Sequence, residues 1–154
     1  MPRSRTIKPG FWDSPDTAAA SLRARLLYIA MWTWADDYGI GDATPSRLIA
    51  YAFPHDNIPA DEHQQLIADV VEAYGVVLFE HDARRYFIIP SFAQHQPRER
   101  KAKPRAELME AATRLLAATK VAGQQSESDR PSNVSELPSA RGGQSSTPTG
   151  SEGP

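Results

Sequence analysis

Apolar residues recur at helical spacing in three successive stretches along the first half of the chain. The first stretch begins after Ser21, whose hydroxyl can cap a helix, and ends before Gly39, which can terminate one. Its apolar residues form two stripes on different faces: Leu22, Leu26 and Ile29, and Leu27, Met31 and Trp34. A helix that is apolar on more than one face is usually covered by several neighbours, so we expect this one at the centre of the core, with Leu26 buried. Asp36 and Asp37 are expected at its exposed end.

Two further helices are predicted by punctuation as well as by periodicity. Thr44 fits an N-cap, Pro45 fits the first helical position, and Pro54 prevents the second helix from continuing. The third helix is predicted to start near Pro59 and to end at Gly75, with apolar residues at i, i+1, i+4 and i+5.

The stretch after the third helix is typical of a β-hairpin. Two β-rich segments, 76–80 and 85–89, flank a polar four-residue link at 81–84. The order helix, link, helix, turn, helix, hairpin is that of a winged helix, a helix-turn-helix variant in which the hairpin forms the wing. We therefore predict an α+β, mostly α fold with three helices and a β-hairpin wing.

Aromatic residues delimit the folded part of the chain, because all of them lie between Phe11 and Phe92. We predict a winged helix-turn-helix domain at residues 1–97, followed at 98–120 by a basic segment and a short amphipathic helix. In the stretch 121–154, 19 of 34 residues are Ser, Gly, Pro or Thr and none is aromatic. This composition predicts a disordered tail.

Charge is uneven along the chain, although its sum is small. The 17 basic and 19 acidic residues give a net charge of −2, yet residues 98–105 hold five cations and one acid. Zero cysteines exclude a disulfide framework and fit a reducing compartment, so a cytoplasmic location is predicted. No run approaches about 18 apolar residues, and the N-terminus lacks the apolar region of a signal peptide. We therefore predict no membrane partner.

Patterns that would indicate catalysis or cofactor binding are absent from the sequence. The four histidines, at positions 55, 63, 81 and 95, include no i, i+4 pair that could bind a metal on a helix face. A phosphate-binding GxxxxGK motif is absent as well. We therefore predict no enzymatic activity and no metal, cofactor or small-molecule substrate.

Double-stranded DNA is the predicted partner, because the wing of a winged helix and its flanks lie beside the DNA backbone. The predicted DNA-binding residues lie on the second and third helices, the wing and the basic segment: Arg47, Gln64, Gln65, Arg84, Arg85, Arg98, Arg100, Lys101, Lys103 and Arg105. The glutamines could read base edges. However, the third helix has no Lys or Arg and four acids: Asp61, Glu62, Asp69 and Glu72. Contact through the wing and the basic segment is therefore favoured over deep docking of the third helix.

Four stretches, taken together over about residues 6–97, resemble a known family. They are "IKPGFWDSPD", "ARLLYIAMWTWADDYG", "AYAFPHD" and "RRYFIIPSFAQHQ". They are similar to the N-terminal winged-helix domain of replication-initiation proteins of actinobacterial phages and prophages, more distantly related to DnaD-type primosomal helicase loaders. The resemblance implies a DNA-associated protein that acts near a phage replication origin. At the matching positions, Ile7, Phe11 and Trp12 are expected to pack the N-terminal arm onto the core.

Two alternatives to this function remain open. The chain could be a protein-interaction or oligomerisation adaptor built on a winged helix, with the third helix as its interface and a second copy or replisome proteins as partners. It could also be a transcriptional regulator. Taken alone, the polar hairpin tip and the basic segment could also be only solvated surface and linker.

Overall fold

The structure is a computed structural model that describes residues 2–96 and 102–128. Its architecture is α+β and mostly helical, with one small antiparallel sheet. The elements are α1 (Pro15–Ala19), α2 (Leu22–Trp34), β1 (Ile40–Asp42), α3 (Pro45–Ala52), α4 (His63–Tyr74), β2 (Val77–His81), β3 (Arg84–Ile88), α5 (Phe92–His95) and α6 (Ala106–Ser128). Among the helices of these described ranges, none combines the length and the apolar character that crossing a bilayer requires.

Helix α2 begins where the sequence predicts, because the Ser21 hydroxyl accepts a hydrogen bond from the backbone N–H of Ala24 at 3.1 Å. Its buried face points into the core with Ala24, Leu27, Tyr28, Met31 and Trp32. The expectation that both apolar stripes are covered is wrong. Leu22 is 73% exposed and Leu26 is 58% exposed, so α2 has one buried face and one apolar face in contact with solvent.

A third strand, which the sequence pattern did not predict, completes the sheet. Strand β1 is only three residues long and pairs antiparallel with β3, giving the order β1-β3-β2. Its central Gly41 lies opposite Phe87, and a side chain at Gly41 would collide with the Phe87 ring. The chain reaches β1 through a turn at Gly39, which has φ +82 and also lies against Phe92. A segment of three residues with glycine at its centre shows little strand propensity, because glycine is depleted in strands.

The hairpin between β2 and β3 has a tighter turn than predicted. His81 and Arg84 pair with each other across the strands, so the link is two residues, Asp82 and Ala83, rather than four. Both turn residues have positive φ, 49° and 57°. Positive φ at both central positions is the geometry of a type I′ turn, whose twist matches that of the flanking strands.

The left-handed backbone at Ala83 gives a first prediction. Replacing Ala83 with glycine should raise the free energy of unfolding by about 1 kcal/mol, because an L-residue other than glycine pays about 1–2 kcal/mol in this region. The control is Ala68→Gly at an exposed position within α4, which should lower stability by about 1 kcal/mol. Urea titration of both variants measures the two effects. Loss of stability in Ala83→Gly would contradict a left-handed turn.

Side chains on the two faces of the sheet belong to two different apolar clusters. Phe87 faces the cluster formed with α2, α3 and α4, whereas its neighbours Tyr86 and Ile88 face α6. Leu108 and Ala112 of α6 are buried against that second face. Helix α6 therefore covers the outer face of the sheet.

The C-terminal helix is longer than predicted. It runs to Ser128, eight residues beyond the predicted end at 120 and into the stretch predicted as a tail. Its first turns are held by the sheet, which supplies the tertiary support that an isolated weak helix lacks. The remainder of the predicted tail lies outside the described residues.

The N-terminal arm packs on the core through fewer residues than expected. Phe11 is half-buried and stacks on Tyr28 and Tyr74, with ring centroids 6.5 and 6.1 Å away. In contrast, Ile7 and Trp12 are exposed, so the expectation that they pack on the core is wrong. The arm is instead fixed by a buried polar contact.

That contact is made by Arg5, whose side chain is only 2% exposed. Its Nε donates to the carbonyl of Trp32 at 3.1 Å, and its Nη2 donates to the carbonyls of Ala35 and Asp36 at 3.0 Å each. Its Nη1 lies 3.3 Å from a carboxylate oxygen of Asp37. The guanidinium thus satisfies carbonyls that the end of α2 leaves without intrahelical partners.

Asp37 is buried rather than exposed, contrary to the sequence expectation for the end of α2. Its carboxylate pairs with Arg3 at 2.5 Å as well as with Arg5, and it accepts a hydrogen bond from the Ala102 backbone at 3.0 Å. One buried carboxylate therefore connects the arm, the turn before β1 and the segment before α6.

Candidate nucleic-acid interface

The predicted DNA-binding cations fall into three groups. Arg98, Arg100 and Lys101 lie outside the described residues. Arg47 and Arg84 both lie close enough to Asp42, at the end of β1, to lower its pKa. Of the remaining cations, Arg105 lines a cleft with Arg47, Arg85 pairs with Glu80 on the hairpin, and Lys103 is exposed before α6.

Strand β1 brings Arg47 and Arg84 together through Asp42. Arg47 lies in the first turn of α3, and its Nη1 is 2.8 Å from Asp42 Oδ2. Asp42 pairs in register with Tyr86, two residues from Arg84 at the hairpin turn. Neither arginine was connected to Asp42 by the sequence pattern.

The pKa of Asp42 reports these surroundings. Partial burial raises this pKa, but hydrogen bonds from Thr44 and the charges of Arg47 and Arg84 outweigh it and hold the pKa below its ordinary value. Asp42 is therefore ionised at neutral pH. It neutralises part of the positive charge at this end of β1 and would compete with any phosphate for Arg47.

A shallow cleft of about 360 Å³ continues along the outer edge of β1. Arginines from three separate segments line it, namely Arg3 of the arm, Arg47 of α3 and Arg105 before α6, with Asp36 and Asp42 between them. We define the β1-edge surface as Arg3, Arg47, Arg84, Arg105, Asp36 and Asp42. Four arginines and two carboxylates leave this surface with a net charge of +2.

Arg105 is less available than the sequence predicted. Its Nη2 donates to Asp36 Oδ2 at 3.0 Å, and its guanidinium carbon lies 5.8 Å from the centre of the Tyr86 ring. A guanidinium has five N–H donors, so several remain for another acceptor. Lys103 is exposed, and no ion pair joins it to a carboxylate within the described ranges.

Arg85 lies on the opposite face of the hairpin from Arg84. It is 3.6 Å from Glu80 and lines a groove of about 240 Å³ between the hairpin and α4. Gln64 lines the same groove, so the structure brings these two predicted residues together. Gln65 does not line the groove; its amide donates to Asp69 of α4 at 2.8 Å.

The exposed face of α4 is acidic, as the sequence predicts. Asp61 and Glu62 precede the helix in a short 3₁₀ turn, and Glu62 pairs with Arg23 of α2 at 3.1 Å. Asp69 is half-buried and Glu72 is exposed on the helix itself. A face of this charge repels phosphates, whereas the β1-edge surface attracts them.

Sequence reasoning missed Arg3 and the two carboxylates, Asp36 and Asp42, that organise the β1-edge surface. The local sequence carries only a weak signal for them, in the cation-rich N-terminus and in the acids that follow α2.

No protein-family model matches the chain, and no curated protein or solved structure is significantly similar to it. The resemblance to phage replication-initiation proteins therefore stays a prediction.

Proposed function

We propose that this chain is a DNA-binding protein of the winged-helix class that contacts duplex DNA mainly through phosphates. The order α2, β1, α3, α4, β2, β3 and the strand order β1-β3-β2 support the winged-helix assignment. Under this assignment α4 is the recognition helix and the β2–β3 hairpin is the wing.

The observation that carries the proposal is that Arg47 of α3 and Arg84 of the hairpin both act on the same carboxylate, Asp42. A cation at the start of α3 and one on the wing would both reach the backbone of a duplex. Arg3 and Arg105, each paired with an aspartate, extend this surface along β1. The predicted contacts from the basic residues 98–105 would add to it.

The mode of binding follows from the charge of α4. Four carboxylates on and before this helix oppose its insertion into the major groove, and Gln65 is already bonded to Asp69. Binding dominated by phosphate contacts positions the protein without reading bases. We therefore propose weak sequence preference and strong dependence on salt.

The proposed biological setting rests on the sequence resemblance alone. It is replication initiation in a phage or prophage, or the regulation of that step, with transcriptional regulation as an alternative. In either setting the chain would bring DNA and other proteins together.

The salt dependence of DNA affinity tests the proposal. With about four to six phosphate contacts, log K should fall against log salt with a slope of about −4 to −5. Replacing Arg47 and Arg84 together by glutamine should flatten this slope by about 2.

The substitution Asp42→Asn should raise the affinity for duplex DNA, because it removes the carboxylate that competes with phosphate for Arg47.

A matched control is the double variant Arg23→Gln, Arg114→Gln. These two arginines are also exposed and paired, with Glu62 and Glu110, but they lie on α2 and α6. Their replacement should leave the slope unchanged. An equal effect of both double variants would mean that only net charge matters, and the β1-edge surface would lose its role.

The adaptor function is the second candidate, and exposed apolar residues on α2 favour it. Leu22 and Leu26 lie one turn apart on the same face, beside the pair Arg23–Glu62. Exposed apolar side chains at this spacing are typical of a helix that packs on another protein. If the wild-type protein binds no duplex even at low salt, the adaptor function is the better account.

A further inference from the structure

Three potential metal ligands meet where the hairpin turn approaches α6. His81 ends β2, Asp82 is the first turn residue, and Glu107 lies in the first turn of α6. The ligand atoms of these three residues all lie within 4.8 Å of one another. Residues 26 positions apart in sequence are therefore brought together by the packing of α6 on the sheet.

The distances at this cluster are too long for hydrogen bonds. His81 Nε2 lies 3.4 Å from Asp82 Oδ2 and 3.7 Å from Glu107 Oε2, whereas hydrogen bonds from nitrogen to oxygen span about 2.7–3.2 Å. The Nε2 atom is also buried from water and has no hydrogen-bond partner among the described residues. A buried ring nitrogen without a hydrogen-bond partner is ordinarily explained by a bound water molecule or ion.

Tetrahedral metal coordination accounts for the same distances. Two ligands at about 2.0–2.2 Å from a tetrahedral zinc ion are separated by about 3.3–3.5 Å. The 3.4 Å distance from His81 to Asp82 matches this separation, and the 3.7 Å distance from His81 to Glu107 is slightly longer. One imidazole with two carboxylates is also a ligand set that zinc-like ions accept, and such ions take imidazole far more readily than Mg²⁺ or Ca²⁺ do.

We infer that His81, Asp82 and Glu107 bind one divalent transition-metal ion of the zinc class, with water completing the coordination. The inference does not depend on the proposed DNA binding. Bound metal would join the hairpin turn to the start of α6 and would hold the wing against the helix that covers the sheet. Metal binding should therefore raise the thermal midpoint of the folded protein.

Calorimetric titration of Zn²⁺ into the chelator-treated full chain tests the site. We expect one site on the wild-type protein and at least tenfold weaker binding in His81→Ala and in Glu107→Gln. Matched controls are His55→Ala, an exposed histidine elsewhere, and Glu110→Gln, an exposed carboxylate one turn further along α6. Both controls should bind Zn²⁺ like the wild type.

Substitution with Co²⁺ gives a second measurement that does not rely on affinity. Co²⁺ in this site should show the intense visible bands of tetrahedral coordination, and these bands should be lost in His81→Ala. Circular dichroism of each variant checks that the fold is kept. Absence of a Zn²⁺ site, or equal binding by His81→Ala and His55→Ala, would overturn the inference and leave the cluster as a contact between His81 and the two carboxylates.

Discussion

Replacing Arg5 with alanine is expected to lower the free energy of unfolding by about 3–5 kcal/mol, the usual effect of removing one partner from a buried ion pair. The side chain is 2% exposed, and its loss would leave the carbonyls of Trp32, Ala35 and Asp36 without their donor. Asp37 would lose its ion pair with Arg5 and keep the one with Arg3. The total free energy of unfolding of a domain of this size is about 5–15 kcal/mol, so much of the variant population would unfold on mild heating.

The matched control is Arg23→Ala, which removes an arginine from an ion pair of similar length. Arg23 lies 3.1 Å from Glu62, but the side chains of both residues are largely exposed to solvent. Such pairs contribute about 0–1 kcal/mol, so the control should be nearly as stable as the wild type. Urea unfolding followed by tryptophan fluorescence compares the two variants. Equal stabilities would show that Arg5 is not the residue that anchors the arm.

Local signals in the sequence located one end of each of the helices α2, α3 and α4. Ser21 caps α2, Pro45 starts α3 and Gly75 ends α4 with a left-handed backbone, as the pattern of caps predicts. Each of these signals acts within one turn of helix, so it does not depend on the tertiary structure. The two strands of the hairpin were also predicted, although the turn is shorter.

Features that depend on distant contacts were not predictable in this way. Strand β1 forms because β3, more than forty residues later, offers it a partner. Asp37 is buried because Arg5 approaches it from the N-terminal arm, and no periodicity reports this pairing. Acidic residues at a helix end are ordinarily exposed, so the sequence prediction followed the commoner case.

The candidate interface was predicted in its parts but not in its arrangement. Arg47 and Arg84 were both predicted to contact DNA, and the structure brings them near the same carboxylate, Asp42. Arg105 was predicted as a phosphate ligand, yet it pairs with Asp36. The charge of a residue can be read from the sequence, whereas its partner depends on which strand edge the folded chain places beside it.

Helix α2 also shows why two apolar stripes do not imply two buried faces. Leu22 and Leu26 satisfy the same periodicity as the buried residues, but the other described elements pack only on the opposite face. An apolar stripe that faces outward is consistent with an interaction surface as well as with a core. The sequence pattern alone does not distinguish these two cases.

Two adjacent leucines of α2 provide the sharpest test of this arrangement. Leu27→Ala should lower the free energy of unfolding by about 2–5 kcal/mol, because Leu27 is fully buried and its truncation leaves a cavity. Leu26→Ala makes the same chemical change one position earlier, where the side chain is 58% exposed, and should cost less than about 1 kcal/mol. The helix propensity term is identical in the two variants, so the difference measures burial alone. Chemical denaturation at low protein concentration, where any association through α2 is suppressed, reports both values.

A decrease in the free energy of unfolding of Leu26→Ala as large as that of Leu27→Ala would mean that α2 is covered on both faces. The orientation of α2 given above would then be wrong.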